Sequence, residues 1–460
     1  MIEGLNPYPG YKPAGLPWLD AVPSHWDLAP NRALMRDRRD RVGEEAPDYT
    51  LLSLTVRGVI ARDMENPKGK FPAQFNTYKI VRPDDFVFCL FDIDETPRGV
   101  GLSGQRGMIT GAYDVFSPTP RINPRFLYHY YLFVDEGKLM KPFYTGLRKT
   151  IQRGTFASLK APLPPPDEQL AIVRFLDHAN RKIDGFIRAK RKLIGLLNEQ
   201  KQAIIHLAVT RGLDPNAKLK PSGIPWLGEI PEHWEVKRIK YLLREVDNRS
   251  TTGAEPLLSM RMHHGLVVFS EHFTRPPQAA TLVGFKIVKP RQFVVNRMQA
   301  GNGVIFPSCL EITGLVSPDY AVFDPIADVN VDYLGELFRT RTMRVKFRSE
   351  SKGLGTGTSG FMRLYNDRFG AIHIPLPPRE EQDAILRGIG EQSADLNTAI
   401  ARTEREIMLM QEYRTRLTAD VVTGKLDVRE AAAKLPEPLD NANITEEIDD
   451  AEELKEDDDE

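Results

Sequence analysis

From Val173, residues taken alternately three and four apart read Val173, Leu176, Asn180, Ile183, Ile187, Lys190, Ile194, Leu197, Lys201, Ile204 and Ala208. Displaced by 213 positions, the same steps give Leu386, Ile389, Ser393, Leu396, Ile400, Thr403, Ile407, Met410, Arg414, Leu417 and Val421. This is the narrow apolar seam of a coiled coil rather than the broad face of a helix laid on a globule. Both seams are polar at the same three layers, which favours one register over slipped ones. Each run follows a stiff Pro-Leu-Pro-Pro entry and opens with acidic residues, Asp167 and Glu168 in the first copy, where a helix N-terminus favours them. The spacing predicts two long helices, over 166–212 and 379–424. If they pair antiparallel, Asn180 meets Arg414, Lys190 meets Thr403 and Lys201 meets Ser393, so each cation faces a neutral residue. A parallel in-register pair would set Lys201 against Arg414. The polar layers therefore predict an antiparallel pair.

The stretches before each helix have another texture. Short apolar runs such as "FVFCLF" at 86–91 and "FKIVKP" at 285–290, broken by Gly and Pro, predict strands with long loops, with a helix near 124–134. Each stretch reads as an α+β globule, and the second repeats the first. "YKPAGLPWLDAVPSHW" at 11–26 returns as "LKPSGIPWLGEIPEHW" at 219–234, "YKIVRP" at 78–83 as "FKIVKP", "GMITGAYDVF" at 107–116 as "GLVSPDYAVF" at 314–323, and "PLPPPDEQLAI" at 162–172 as "PLPPREEQDAI" at 375–385. The repeated Trp18, Trp26, Trp226 and Trp234 read as structural anchors for the start of each globule. The expected domains are globules at 1–165 and 213–378, helical regions at 166–212 and 379–424, and an acidic tail at 425–460.

Charge and composition narrow the function. Residues 436–460 hold 13 acidic residues and one lysine, so the net charge of −1 divides into −12 there and +11 on the rest. A tail of this composition reads as solvated and disordered, and the basic body is compatible with nucleic acid. There is no transmembrane run and no basic, apolar leader at the N-terminus, which points to a cytoplasmic protein. Cys89 and Cys309 read as two reduced thiols. Two related globules held apart by antiparallel rods would suit duplex DNA, whose half-sites are spaced by a helical repeat of about 34 Å.

The stretches "GIPWLGEIPEHWEVKRIKYLL" (223–243), "NRMQAGNGVI" (296–305), "GLVSPDYAVF", "PLPPREEQDAI" and "QKQAIIHLAVTRGL" (200–213) resemble type I restriction-modification specificity subunits over nearly the whole chain except the tail. The resemblance implies two target recognition domains, each reading one half of a split double-stranded DNA sequence. It implies helical regions that act as a ruler between half-sites and dock two methyltransferase subunits, with restriction/translocase subunits joining for cleavage. It implies a pseudo-two-fold arrangement and a chain without catalysis or cofactor of its own. S-adenosylmethionine, ATP and Mg then belong to the partner subunits. The first domain departs from the family wording, with "FCLFDIDETPRGVGLSG" where the second has "FVVNRMQAGNGVIF".

The residues agree with that division of labour. "NPYP", "NPRF" and "SPDY" lack the second proline of an adenine-gripping methyltransferase loop. "GVGLSGQR" and "GTGTSGFM" lack the Lys-Ser/Thr of a phosphate-cradling loop, and Asp92, Asp94 and Glu95 have no counterpart in the second half. Bases are read by Arg, Lys, Asn and Gln, while cations and loop amides hold phosphates. The DNA-contact candidates are Arg57, Arg98, Gln105, Arg106, Gln152 and Arg153 in the first globule. In the second they are Arg261, His263, His264, Asn296, Arg297, Gln299, Asn302, Lys352, Thr358 and Ser359. The competing reading is a coiled-coil adaptor with no DNA role.

Overall fold

The computed structural model describes residues 5–64, 75–93, 95–262, 264–273, 276–354 and 361–436. His263, Thr358, Ser359, Asp94 and the acidic run from Glu437 lie outside them. The chain forms two compact units. One runs to Lys190 and takes the segment from Arg405 onward; the other runs from Arg191 to Glu404.

The first unit is built on a four-stranded antiparallel sheet of β1 (Met35–Arg38), β2 (Phe86–Phe88), β3 (Val100–Leu102) and β4 (Asp114–Pro118), in the order β1-β4-β2-β3. Beside it stands helix α1 (Pro124–Glu136), whose first backbone amides are capped by the Asn123 side chain. The long helix α2 (Pro166–Arg211) then begins. In the second unit the sheet returns as β5 (Leu243–Val246), β6 (Phe293–Val295), β7 (Ile305–Pro307) and β8 (Ala321–Pro325), in the order β5-β8-β6-β7. Helix α3 (Val331–Arg339), capped by Asn330, stands where α1 does, and α4 (Arg341–Glu350) follows it. The second long helix is α5 (Arg379–Val422).

Strand pleating sorts the core. Phe86 and Phe88 join the large cluster around Trp26, Phe126, Tyr130 and Phe156, while Val87 between them joins a smaller cluster with Leu52, Val81 and Val115. Phe293, Val295 and Val294 divide in the same way. A repeated glycine explains part of the smaller clusters. A Cβ on Gly107 would lie 2.7 Å from Leu52 Cγ, and one on Gly314 would lie 2.6 Å from Leu258 Cγ. Only glycine lets that hairpin leucine close over the sheet.

A duplicated clasp ties each globule to its long helix. In the first unit, Glu168 in the first turn of α2 accepts from Trp26 Nε1 at 2.8 Å, lies 2.8 Å from His25 Nε2, and accepts from the Tyr8 hydroxyl. In the second, Glu381 of α5 accepts from Trp234 Nε1 at 3.0 Å and lies 2.7 Å from His233 Nε2. The neighbouring glutamines repeat as well. Gln169 accepts from Asn123 N and donates to Pro164 O; Gln382 accepts from Asn330 N and donates to Pro377 O. The His-Trp and Glu-Gln dipeptides that recur in the sequence are thus two sides of one joint. Trp26 and Trp234 are fully buried. Trp18 donates to the Tyr130 hydroxyl at 3.1 Å, and Trp226 packs on the second core.

The long helices pair antiparallel. Within the first unit, Asp184 meets Arg414 and Lys190 Nζ lies 2.7 Å from Glu406, so contacts rise along α2 as they fall along α5. Within the second, Lys201 Nζ donates to Asn397 Oδ1 at 2.8 Å, and Ile205, Ala208 and Val209 share a core with Ile385 and Ile389. From Arg188 to Ile204 the residues that are not exposed are Lys190, Ile194, Leu197, Lys201 and Ile204, all of them seam positions. Val173, Leu176, Ile183, Ile187, Ile389 and Leu417 are buried, and Leu386, Leu396, Ile400, Ile407 and Met410 are half-buried. Gly212 and Gly424, at φ of 78° and 76°, follow the two helices.

Two expectations are corrected. The cations do not face neutral seam residues. Arg414 reaches Asp184 instead of Asn180, Lys190 reaches Glu406 instead of Thr403, and Lys201 reaches Asn397 instead of Ser393. Their long stems lie along the seam while the charged heads leave it for partners at its edge. Ser393 is left with a buried hydroxyl that has no partner, whereas Thr403 Oγ1 donates to Ala399 O at 2.7 Å. The tail begins later than 425. Asp427 pairs with Asn6, Val428 and Ala432 are buried in the first core around the short helix α6 (Arg429–Ala433), and Arg174 donates to Pro436 O at 3.1 Å. Val428 and Ala432 are one helical turn apart and bury a common face, so the packed chain extends to the edge of the acidic run.

Candidate nucleic-acid interface

The first-half candidates sit on edges of the sheet and its hairpins. Arg57 is exposed in the turn between strands Leu52–Thr55 and Gly58–Ala61. Gln105 and Arg106 lie between Val100–Leu102 and Gly107–Ile109, where Arg106 donates to the Tyr49 hydroxyl at 2.9 Å and stacks over its ring. Two arginines are committed elsewhere. Arg98 lies 3.7 Å from Glu136 on α1, and Arg153 is held by Asp114 and Asp37. Gln152 is exposed and donates weakly to Thr145.

In the second half, Arg261 and the exposed His264 mark the turn of the hairpin Leu258–Arg261/Gly265–Val268, with the Arg261 guanidinium 5.2 Å from the Phe273 ring centre. The 296–302 loop, which carries four of the candidates, is partly its own scaffold. Asn296 Oδ1 accepts from the amides of Met298 and Gln299, closing the turn. Arg297 is bound to Glu245 at 2.6 Å and Asn366 at 3.1 Å. Gln299 and Asn302 are exposed, and so is Lys352.

The glycines of this loop serve α4. A Cβ on Gly303, whose φ is 89°, would lie 2.7 Å from Arg344 Cδ, and one on Gly301 would lie 3.2 Å from Arg348 Cβ. Arg348 Nη2 donates to Asn302 Oδ1 at 3.0 Å. Arginines that the sequence reading passed over therefore lie on the loop it selected. The signal was available in "RTMRVKFRSE", where Met343 and Phe347 form the buried face and Arg341, Arg344 and Arg348 fall together on an adjoining arc. A polar cleft of about 310 Å³ joins the loop to α4 and the long helix; its walls include Lys201, Gln202, Asn302, Arg339 and Arg344. Burial raises the pKa of the Cys89 thiol, and partial desolvation together with the Asp332 carboxylate raises that of the exposed Cys309, so both stay protonated near neutrality.

No family model matches the chain. In sequence it is similar to a Methanocaldococcus jannaschii protein provisionally named as the type I restriction enzyme MjaX specificity subunit, 26% identical over 297 residues, 61% of this chain and 63% of the relative. It is also similar to the MjaVIII specificity subunit of the same organism, 34% identical over 90 residues, 20% of each chain. Both matches span less than two thirds of the relative's length. In fold it is similar to a solved chain from work on complex assembly and conformational transition of the type I R-M system, with a TM-score of 0.55 at 13% identity, covering 88% of this chain and 99% of that one. In sequence, this chain is similar to type I restriction enzyme specificity subunits, and in fold it is similar to a chain of a type I R-M system.

Proposed function

We propose that this chain is the non-catalytic DNA-specificity subunit of a type I restriction-modification complex. Residues 1–165 and 213–378 each read one half of a bipartite duplex target, and the helical regions 166–212 and 379–424 set the spacing and dock two methyltransferase subunits. Restriction/translocase subunits join that assembly, and S-adenosylmethionine, ATP and Mg act in the partners.

The observation that carries this reading is the duplication. Two copies of one sheet-and-helix globule are each fastened by the same carboxylate clasp to the first turn of a long helix. A reader of two different half-sites needs this construction: a shared frame with loops that differ, such as "FCLFDIDETPRGVG" against "FVVNRMQAGNGVIF". The names of its relatives support the same reading. Exchanging residues 213–378 for those of a relative with another specificity, with both helical regions kept, tests it. Mapping methylated adenines in the host genome should show one half-site replaced and the other retained. An unchanged methylation pattern would refute the assignment, and so would the absence of any split target in the unmodified host.

A further inference from the structure

We propose that the arginine arc of α4, Arg341, Arg344 and Arg348, is the phosphate-gripping surface of the second recognition domain, and that Arg297 belongs to its frame. This rests on the reading of the chain as a DNA-specificity subunit and says which residues of the second domain hold the backbone.

Charge pairing separates the two roles. Around α4, other cations have carboxylate partners: Arg297 has Glu245 at 2.6 Å, Arg339 has Glu336 at 2.5 Å, and Lys346 and Arg368 share Glu350 at 2.5 and 3.7 Å. None of Arg341, Arg344 and Arg348 has a carboxylate partner among the described residues. Arg348 touches only neutral oxygens, Asn302 Oδ1 and the Gly301 carbonyl, and these leave its charge intact. Three like charges on one arc of a ten-residue helix repel one another, and Glu336, the carboxylate that lines the cleft beside Arg344, is bound to Arg339. An anion from outside relieves that repulsion, and a row of phosphates matches a row of guanidinium forks.

The surroundings aim this row. Arg344 lines the same polar cleft as Asn302 and as Lys201 of the long helix, so a backbone held along α4 runs beside the exposed amide side chains of the 296–302 loop. Phosphate contacts fix register and base-edge contacts then read sequence, which is the division this geometry offers. Arg297, Glu245 and Asn366 bond one another, so pulling Arg297 away would instead break that network and loosen the loop.

The test measures binding of the full-length chain to a random-sequence duplex of about 40 base pairs by fluorescence anisotropy, across about 50 to 200 mM KCl. Each phosphate contact contributes about 0.9 to the slope of log affinity against log salt, so Arg344→Gln should flatten the slope by about that amount and the triple Arg341→Gln/Arg344→Gln/Arg348→Gln variant by about 2.7. Arg344→Lys should keep the slope. Arg368→Gln, which removes the same charge from an ion-paired site, should leave it unchanged. If the wild type binds with a steep slope and Arg341→Gln, Arg344→Gln and Arg348→Gln made singly each retain it, the arc is not the phosphate surface, though the chain remains a DNA reader. If the wild type shows no salt-sensitive binding, the DNA-reading function fails and the arc with it. Thermal melting of each variant separates lost contact from lost fold, and the single variants stand if the triple one unfolds.

Discussion

At the scale of single residues, one carboxylate organises each joint between globule and helix. Glu168 is 4% exposed and serves Trp26, His25 and Tyr8 together. Burial first, and then the hydrogen bond to Glu168, push the pKa of the Tyr8 hydroxyl well above its ordinary value, so Tyr8 remains a donor. Removing Glu168 orphans two buried donors at once, the Trp26 indole and the Tyr8 hydroxyl, each costing about 1–3 kcal/mol. Glu168→Ala should therefore destabilise the chain by about 3 kcal/mol or more, read from the denaturant midpoint at constant slope. Glu381 is more exposed and has no tyrosine partner, so Glu381→Ala should cost visibly less. Equal losses would contradict the ranking. The clasp was half legible in sequence, since the repeated His-Trp and Glu-Gln pairs announced themselves. That they bind each other was not legible, because His25 and Glu168 are 143 residues apart and no local pattern links them.

At the scale of elements, the seam buries an unpaired hydroxyl. Ser393 lies buried in the pair with a hydroxyl that has no hydrogen-bond partner among the described residues, Lys201 reaching Asn397 instead. Ser393→Ala removes an unpaired polar atom at almost constant shape and should raise stability by up to about 1 kcal/mol, measured by the same midpoint. A fall in the midpoint would mean that the hydroxyl has a partner in solution. Periodicity made the helices legible to within a few residues, and the polar layers made their direction legible too. Layer partners were less so. A lysine or arginine stem spans a full helical turn, so its Cα marks the layer but not the place where the charge ends up, as Lys190 and Arg414 show.

At the scale of the whole molecule, the proposed function turns on distance. If the helices are the ruler between half-sites, four residues inserted beside Gly195, where a Cβ would meet no neighbouring atom, lengthen one helix by a turn while the globule sequences stay the same. The methylated target should then keep both half-sites and change its spacer, or assembly with the methyltransferase should be lost; sequencing of methylated adenines reads both. An unchanged spacer would show that the helices do not set it.

The sequence by itself determined what repeats and what has a period: two α+β globules, two long helices, their antiparallel sense, and the family they resemble. These are properties of local spacing, and they survive any uncertainty about distant contacts. Only the tertiary structure decided which charged residues are free to act. Arg297 and the α4 arginines are alike in type, yet Glu245, 52 residues away, holds Arg297, whereas Arg341, Arg344 and Arg348 have no carboxylate partner among the described residues. The physical reason is that a side chain's type is written at its own position, whereas the charge it has left over is set by whichever residues folding brings to it.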